Sequence, residues 1–143
     1  MAEGLLNHWG AGRIQAYSAG SSPTGKIHPL SVATLERHGL PTAGYRSKSW
    51  SEFASHPLDL VITVCDSAAN ETCPNFPGNP VKAHWGVPDP AHAQGTPHEI
   101  AAEFSRIYAL LEKMVKALVA LPLESMTPNE LSSCLASIRS DAR

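Results

Sequence analysis

Two stretches of the chain carry the clearest hydrophobic patterns. Asp59–Cys65 (DLVITVC) contains a continuous apolar or β-branched run, which is typical of a parallel strand that is covered on both faces. After the capping sequence Thr96-Pro97-His98-Glu99, apolar residues recur at helical spacing and predict a long helix with one buried face. They are Ile100, Phe104, Ile107, Tyr108, Leu111, Met114, Val115 and Leu118.

Weaker patterns predict the remaining elements. Alternation over Arg13–Ser18, before Ala19-Gly20, predicts a strand, and Val81–Trp85 predicts another. Helices are predicted at four further places, the first without a cap and the other three from cap signals. These are Ala2–Trp9, Pro29–His38, a short helix from Ser49 to near His56, and a last short helix opened by Thr127-Pro128-Asn129-Glu130 that carries Cys134. Helices that alternate with parallel-type strands predict an α/β layer fold.

Length, composition and charge narrow the class of protein. The 143 residues fit one domain, with 43% apolar and 17% charged residues. A net charge of -2 gives no electrostatic case for nucleic acid or an anionic membrane as a partner. No apolar run approaches the roughly 18 residues that a membrane span requires, and the N-terminus lacks the features of a secretory signal. Three cysteines suit a reducing compartment, so we expect a cytoplasmic protein.

A pair of cysteines is the first candidate for chemistry. Cys65 stands at the end of the predicted buried strand, and Cys73 follows it after seven residues. Ligands of α/β sheets bind beyond the carboxyl ends of the strands. If the intervening loop bends, the two thiols are suited to relayed thiol–disulfide exchange. The alternative, that Cys65 is simply a small buried apolar residue, stays open because free cysteines are often buried.

Asp89 and the histidines are weaker candidates. Asp89 follows the strand Val81–Trp85 in the loop VPDPAH, where it is placed either to act as a general acid or to begin a turn before Pro90. The chain has seven histidines, but none is paired at the spacing of a recognisable metal site. No glycine-rich phosphate loop with a preceding strand is found either.

Several segments together are similar to a known family. The run DLVITVCDSAANETCPNFPG, with KAHWGVPDPA after it, resembles the arsenate reductases built on the low-molecular-weight tyrosine phosphatase fold. Further agreement lies in MAEGLLNH, YSAGSSPTGKIHPLS, GYRSKSWSEFASHP and the C-terminal ALPLESMTPNEL. The resemblance implies a three-layer α/β fold with a parallel sheet flanked by helices. It also implies that residues 1–123 form the reductase domain and that residues 124–143 are a C-terminal helical extension.

The resemblance implies a relay of three thiols that reduces arsenate to arsenite. In the family, a nucleophilic cysteine in a phosphate-binding loop attacks arsenate, and a second cysteine, matching Cys65, attacks the first and releases arsenite. A third, matching Cys73, then leaves a Cys65–Cys73 disulfide. An external thiol reductant, thioredoxin or glutaredoxin with glutathione, reduces that disulfide, and no bound cofactor is implied. Asp89 matches the general acid of the related phosphatases.

A potassium site of some relatives has a counterpart in this sequence. Glu3 and Ser18 match two of its ligands, but Lys48 occupies a third position. Because the lysine ammonium replaces the ion there, we expect no metal.

The first thiol of the relay has no counterpart in this sequence. The family carries it in a Cys-x5-Arg loop, and the residues six positions after the three cysteines are Glu71, Asn79 and Ser140. We therefore expect the central strand and the nucleophile loop to be missing, which makes the chain inactive alone. The missing strand would leave unpaired strand edges, an aggregation hazard. Cys134, inside a predicted helix, is expected to be structural or incidental.

Two other functions are open at this point. A phosphatase of the same fold is disfavoured, because phosphatases need no redox pair on this loop and VPDPA lacks the aromatic residues that they usually carry after Asp-Pro. The other is a non-catalytic, redox-responsive remnant.

Overall fold

The computed structural model describes residues 1–20, 25–64 and 76–142. In chain order, the helices and strands of this part are α1 (Ala2–Gly10), α2 (Pro29–Arg37), β1 (Leu60–Thr63), β2 (Val81–His84), α3 (Pro97–Val119) and α4 (Pro128–Asp141). Short 3-10 helices lie at Trp50–Phe53, Pro90–His92 and Leu123–Ser125. The predicted helices and the two later strands are confirmed, each within a few residues of its expected bounds.

The sheet of the described residues consists of β1 and β2, which pair in parallel. Leu60 lies opposite Val81, and Thr63 lies opposite His84. The pairing continues past the strand, because the Trp85 amide donates to the Thr63 carbonyl over 2.9 Å. The carboxyl ends of both strands therefore lie side by side, at the edge where α/β sheets bind their ligands.

The strand predicted at Arg13–Ser18 does not form. The Ala16 amide donates to Asn7 Oδ1 over 2.9 Å, and Asn7 Nδ2 returns a hydrogen bond to the Ala16 carbonyl over 3.1 Å. The Ser18 amide donates to Glu3 Oε1 over 3.0 Å. Side chains of α1 thus occupy backbone groups that a strand would offer to a neighbour. An isolated parallel bridge, Gly20 to Ser49, follows this segment.

Helix α3 is the centre of the core. Of the eight apolar positions predicted for its inner face, seven are buried and Ile100 is half-buried. Helices α1, α2 and α4 all pack against α3, and α4 also packs against β2. Leu135 and Ile138 of α4 belong to the same core cluster as Trp85. The C-terminal segment from residue 124 is therefore packed onto the rest of the chain.

The region after α3 is held by Arg13. Its guanidinium donates to the Val119 and Leu121 carbonyls over 2.8 and 3.1 Å and pairs with Glu124 over 2.9 Å. The Glu124 carboxylate, through its hydrogen bond, raises the pKa of Arg13.

Among the described residues, no helix is long and apolar enough to cross a membrane.

The start of α3 is fixed by a capping box. Thr96 Oγ1 accepts the Glu99 amide over 3.1 Å, and Glu99 Oε2 accepts the Thr96 amide over 3.4 Å. We predict that Thr96→Ala lowers the free energy of unfolding by about 1 kcal/mol, because an amide at the helix start loses its acceptor. Urea unfolding measures the loss. Thr96→Ser, which keeps the hydroxyl, is the control, and equal stability of the two variants would contradict the assignment.

Candidate active site

Cys65 and Cys73 lie outside the described residues. Their pairing and their role in a relay therefore stay predictions. The structure describes strand β1, which precedes Cys65 in the sequence, and the loop after β2 that carries Asp89.

The last paired position of the sheet is polar. Thr63 and His84 face each other across the ladder, and Thr63 Oγ1 lies 2.7 Å from His84 Nδ1. Both residues are half-buried. The sequence analysis assigned no role to this histidine, because it is not paired at the spacing of a recognisable metal site. The sequence does contain one signal for His84, which is its position at the end of a predicted strand, directly before Trp-Gly.

Asp89 is the cap of the short 3-10 helix Pro90–His92. Its Oδ1 atom accepts the Ala91 amide over 2.9 Å, and the residue is exposed. The turn-initiating role considered for Asp89 is thus present in the structure, while its role as a general acid stays a prediction.

The cation position anticipated near Glu3 contains an ion pair. Lys48 Nζ lies 3.5 Å from Glu3 Oε1, and the two side chains are only 8% and 13% exposed. Lys48 also donates to the Arg46 carbonyl over 3.3 Å, and Glu3 accepts the Ser18 amide. Burial and the nearby Glu3 carboxylate raise the pKa of Tyr45. Glu3 thus connects α1 to the segments that carry Ser18 and Lys48.

Among the described residues, no group of three His, Cys, Asp or Glu side chains is arranged to hold a metal ion. The expectation that the protein binds no metal stays a prediction.

Comparison with known proteins fits this geometry. A family model described as low molecular weight phosphotyrosine protein phosphatase matches residues 1–130. The chain belongs to this family. Within the phosphatase family, it is similar to an arsenate reductase of Halalkalibacterium halodurans, with 34% identity over 116 residues that cover 81% of this chain and 82% of the relative. An arsenate reductase of Bacillus subtilis is 35% identical over 107 residues, which cover 75% and 76% of the two chains.

A solved structure gives the same result. It is described as an arsenate reductase in the oxidized state, and it superposes with a TM-score of 0.67 and 25% identity over 83% of this chain and 85% of its own. The predicted α/β fold, with a parallel sheet and surrounding helices, is confirmed. By its relatives and this structural neighbour, the chain groups with the arsenate reductases of the phosphatase family.

The capping role of Asp89 is testable by substitution. We predict that Asp89→Ala lowers the free energy of unfolding by about 0.5–1 kcal/mol, because the Ala91 amide loses its acceptor. Asp89→Asn should keep stability near that of the parent chain, because an amide oxygen accepts the same hydrogen bond. Thermal and urea unfolding compare the variants. An Asn variant as unstable as the Ala variant would show that the charge, rather than the cap, matters for folding.

The Glu3–Lys48 pair predicts a clear stability effect. Lys48→Met leaves a nearly buried carboxylate without its cation and should lower the free energy of unfolding by about 3 kcal/mol. The double variant Glu3→Gln with Lys48→Met removes both charges and should lose markedly less. Urea unfolding of the parent chain, the Glu3→Gln and Lys48→Met single variants and the double variant measures the coupling. Additive losses would show that the two charges do not interact.

The same ion pair predicts indifference to potassium. The Tm of the parent chain should be the same in potassium chloride and in choline chloride of equal ionic strength, because the lysine already supplies a cation to Glu3. A Tm that rises only with potassium would contradict the expected absence of a metal.

Proposed function

We propose that this chain carries the second and third thiols of an arsenate reductase, Cys65 and Cys73. The observation that carries the proposal is the position of Cys65 in sequence, just after the parallel strand β1, in a chain 34% identical to an arsenate reductase over 81% of its length. Cys73 follows within reach of a bent loop. Arsenate is proposed as the substrate because the relatives are named arsenate reductases.

The proposed reaction transfers two electrons from sulfur to arsenic. A first thiolate displaces an oxygen of arsenate, which leaves as water, and forms a sulfur–arsenic bond. The thiolate of Cys65 attacks that sulfur, so the S–S bond forms while the sulfur–arsenic pair of electrons stays on arsenic, which departs as arsenite. The thiolate of Cys73 then attacks the sulfur of Cys65 and expels the first thiolate. A Cys65–Cys73 disulfide remains.

An external dithiol completes the cycle. Thioredoxin, or glutaredoxin with glutathione, reduces the Cys65–Cys73 disulfide and takes up the oxidising equivalents. We propose no bound cofactor. The three cysteines support the cytoplasm as the location, since its thiol pool keeps such cysteines reduced.

Asp89 is proposed as the proton donor to the oxygen that leaves arsenate. It stands on the loop that follows β2 at the carboxyl edge of the sheet, and a carboxylic acid is suited to that step. The hydrogen bond from Ala91 to Oδ1 fixes the direction of the carboxyl group.

The first thiol must come from outside these 143 residues, because no cysteine in them is followed six positions later by arginine. The backbone amides and arginine of such a loop bind an oxyanion, and the residues here supply no equivalent in sequence. We therefore propose that this chain alone reduces no arsenate but retains the disulfide step.

The absence of arsenate reduction and the retention of the disulfide step are tested by separate assays. The purified chain, given thioredoxin, thioredoxin reductase, NADPH and arsenate, should show no arsenate-dependent NADPH oxidation. After oxidation with diamide, peptide mapping should find a Cys65–Cys73 disulfide that thioredoxin reduces. Cys134→Ser, which removes the cysteine of α4, is the matched control and should behave like the parent chain.

The opposite results have defined meanings. Arsenate turnover by the parent chain would contradict the statement about the first thiol. Two thiols that stay unpaired under oxidation would contradict the relay and support a remnant without redox function.

A gain-of-function variant tests the substrate. When a strand and Cys-x5-Arg loop of an arsenate reductase precede Met1, we expect arsenate-dependent turnover, and Cys65→Ser or Cys73→Ser should each lower it by at least about 100-fold because each thiol is an obligatory nucleophile. Hydrolysis of an aryl phosphate without any arsenate turnover would instead favour a phosphatase.

A further inference from the structure

Within the described ranges, strand β1 is paired along one side only. The Asp59 carbonyl accepts the Val81 amide over 3.0 Å, which fixes the hydrogen-bond pattern of the ladder. In a parallel ladder, the backbone groups of successive residues point to opposite sides of the strand, so those of Leu60 and Ile62 point away from β2. No described residue forms a hydrogen bond to the backbone of Leu60 or Ile62.

This free side of β1 is apolar and carries no protecting group. Residues 60–64 (LVITV) contain no charged side chain, and none of them is fully buried. The side chains of Leu60 and Ile62 pack against the core, so the alternation of a strand places Val61 on the opposite face. Folded proteins usually protect such an edge with a charged residue, a proline or a bulge. An apolar edge without these features is suited to pairing with another strand.

The edge is complementary to a second copy of itself. Antiparallel pairing about a two-fold axis at Val61 sets Leu60 opposite Ile62 of the second copy, and the reverse. These become hydrogen-bonded positions, so the amides and carbonyls of Leu60 and Ile62 all obtain partners. The charges are compatible too, because Asp59 faces the Thr63 hydroxyl of the second copy rather than another carboxylate.

We propose that two copies of this chain associate through β1, in antiparallel pairing about a two-fold axis at Val61. The dimer joins two two-stranded sheets into one sheet of four strands, a size at which sheets gain independent stability. The association requires neither arsenate nor the proposed thiol relay. Because the paired strands are short, the contact is smaller than the roughly 1,200–2,000 Å² of stable interfaces, and we expect a dissociation constant on the order of 100 µM.

Analytical ultracentrifugation of the parent chain measures the association. The chain is examined from about 10 µM to about 1 mM, a range that spans the expected dissociation constant. A thiol-free phosphine reductant is present throughout, so that disulfides between chains do not contribute. The mass should rise with concentration and level off at twice that of the chain. A monomer over the whole range would overturn the proposal, and so would a mass that grows beyond the dimer.

Substitutions of Val61 test the position of the axis. Val61 lies opposite Lys82 in its own chain, so Val61→Glu gains an opposite charge within the monomer, whereas two carboxylates meet at the axis of the dimer. The dissociation constant should rise at least about 5-fold. Val61→Thr, which stays β-branched and neutral, is the matched control and should associate like the parent chain. Thermal unfolding verifies that each variant is folded.

A mixture of two variants provides the rescue. Val61→Lys alone should also associate weakly, while an equal mixture of Val61→Glu and Val61→Lys should form a dimer of one chain of each kind, because opposite charges then meet at the axis. Association of Val61→Glu at the parent affinity, or a mixture no stronger than its components, would overturn the proposed register.

Amide hydrogen exchange locates the contact without any substitution. In nuclear magnetic resonance of the parent chain, the amides of Leu60 and Ile62 should exchange more slowly as the concentration rises, because the second copy accepts their hydrogen bonds. The amides of Val61 and Thr63, which point to β2, should be protected equally at every concentration. A dimer that leaves the exchange of Leu60 and Ile62 unchanged would use another surface and would overturn the proposal.

Discussion

The parallel ladder between β1 and β2 sets the described part of the candidate site. Its register places Thr63 opposite His84, and it brings the carboxyl ends of both strands to one edge of the sheet. Asp89 comes five residues after His84, and Cys65 comes two residues after Thr63. A slip of one residue would turn every side chain of β1 to the other face. Helix α4 packs on β2, and α1, α2 and α4 pack on α3.

The elements that are specified by a local sequence pattern were predictable from the sequence. The apolar run of β1 and the helical spacing of α3 each specify burial directly, and Thr96 and Glu99 mark a helix start through contacts three residues apart. The segment Arg13–Ser18 failed for the opposite reason. Its alternation is compatible with a strand, but a strand needs a neighbour, and Asn7 and Glu3 instead bond to its backbone.

The candidate site was predictable only in part. Asp89 was found from its place in the Pro-rich loop, and its turn-initiating hydrogen bond was one of the two roles considered. The Thr63–His84 contact depends on the register of two strands whose paired residues are 21 positions apart in the chain, which no local pattern encodes. Lys48 was placed near Glu3 through the resemblance to a family. The hydrogen bond of Lys48 to Arg46 becomes apparent only in the folded chain.

The ladder places Thr63 opposite His84, the loop after β2 carries Asp89, and the two cysteines of the proposed relay follow β1 in sequence. A redox titration against defined ratios of reduced to oxidised glutathione tests the central claim most directly, with the oxidised fraction of each cysteine measured separately. The account predicts that Cys65 and Cys73 become oxidised together, with a dithiol-to-disulfide ratio that follows the square of the reduced glutathione concentration divided by that of oxidised glutathione. Separate titration of the two cysteines, each as a mixed disulfide with glutathione, would contradict it.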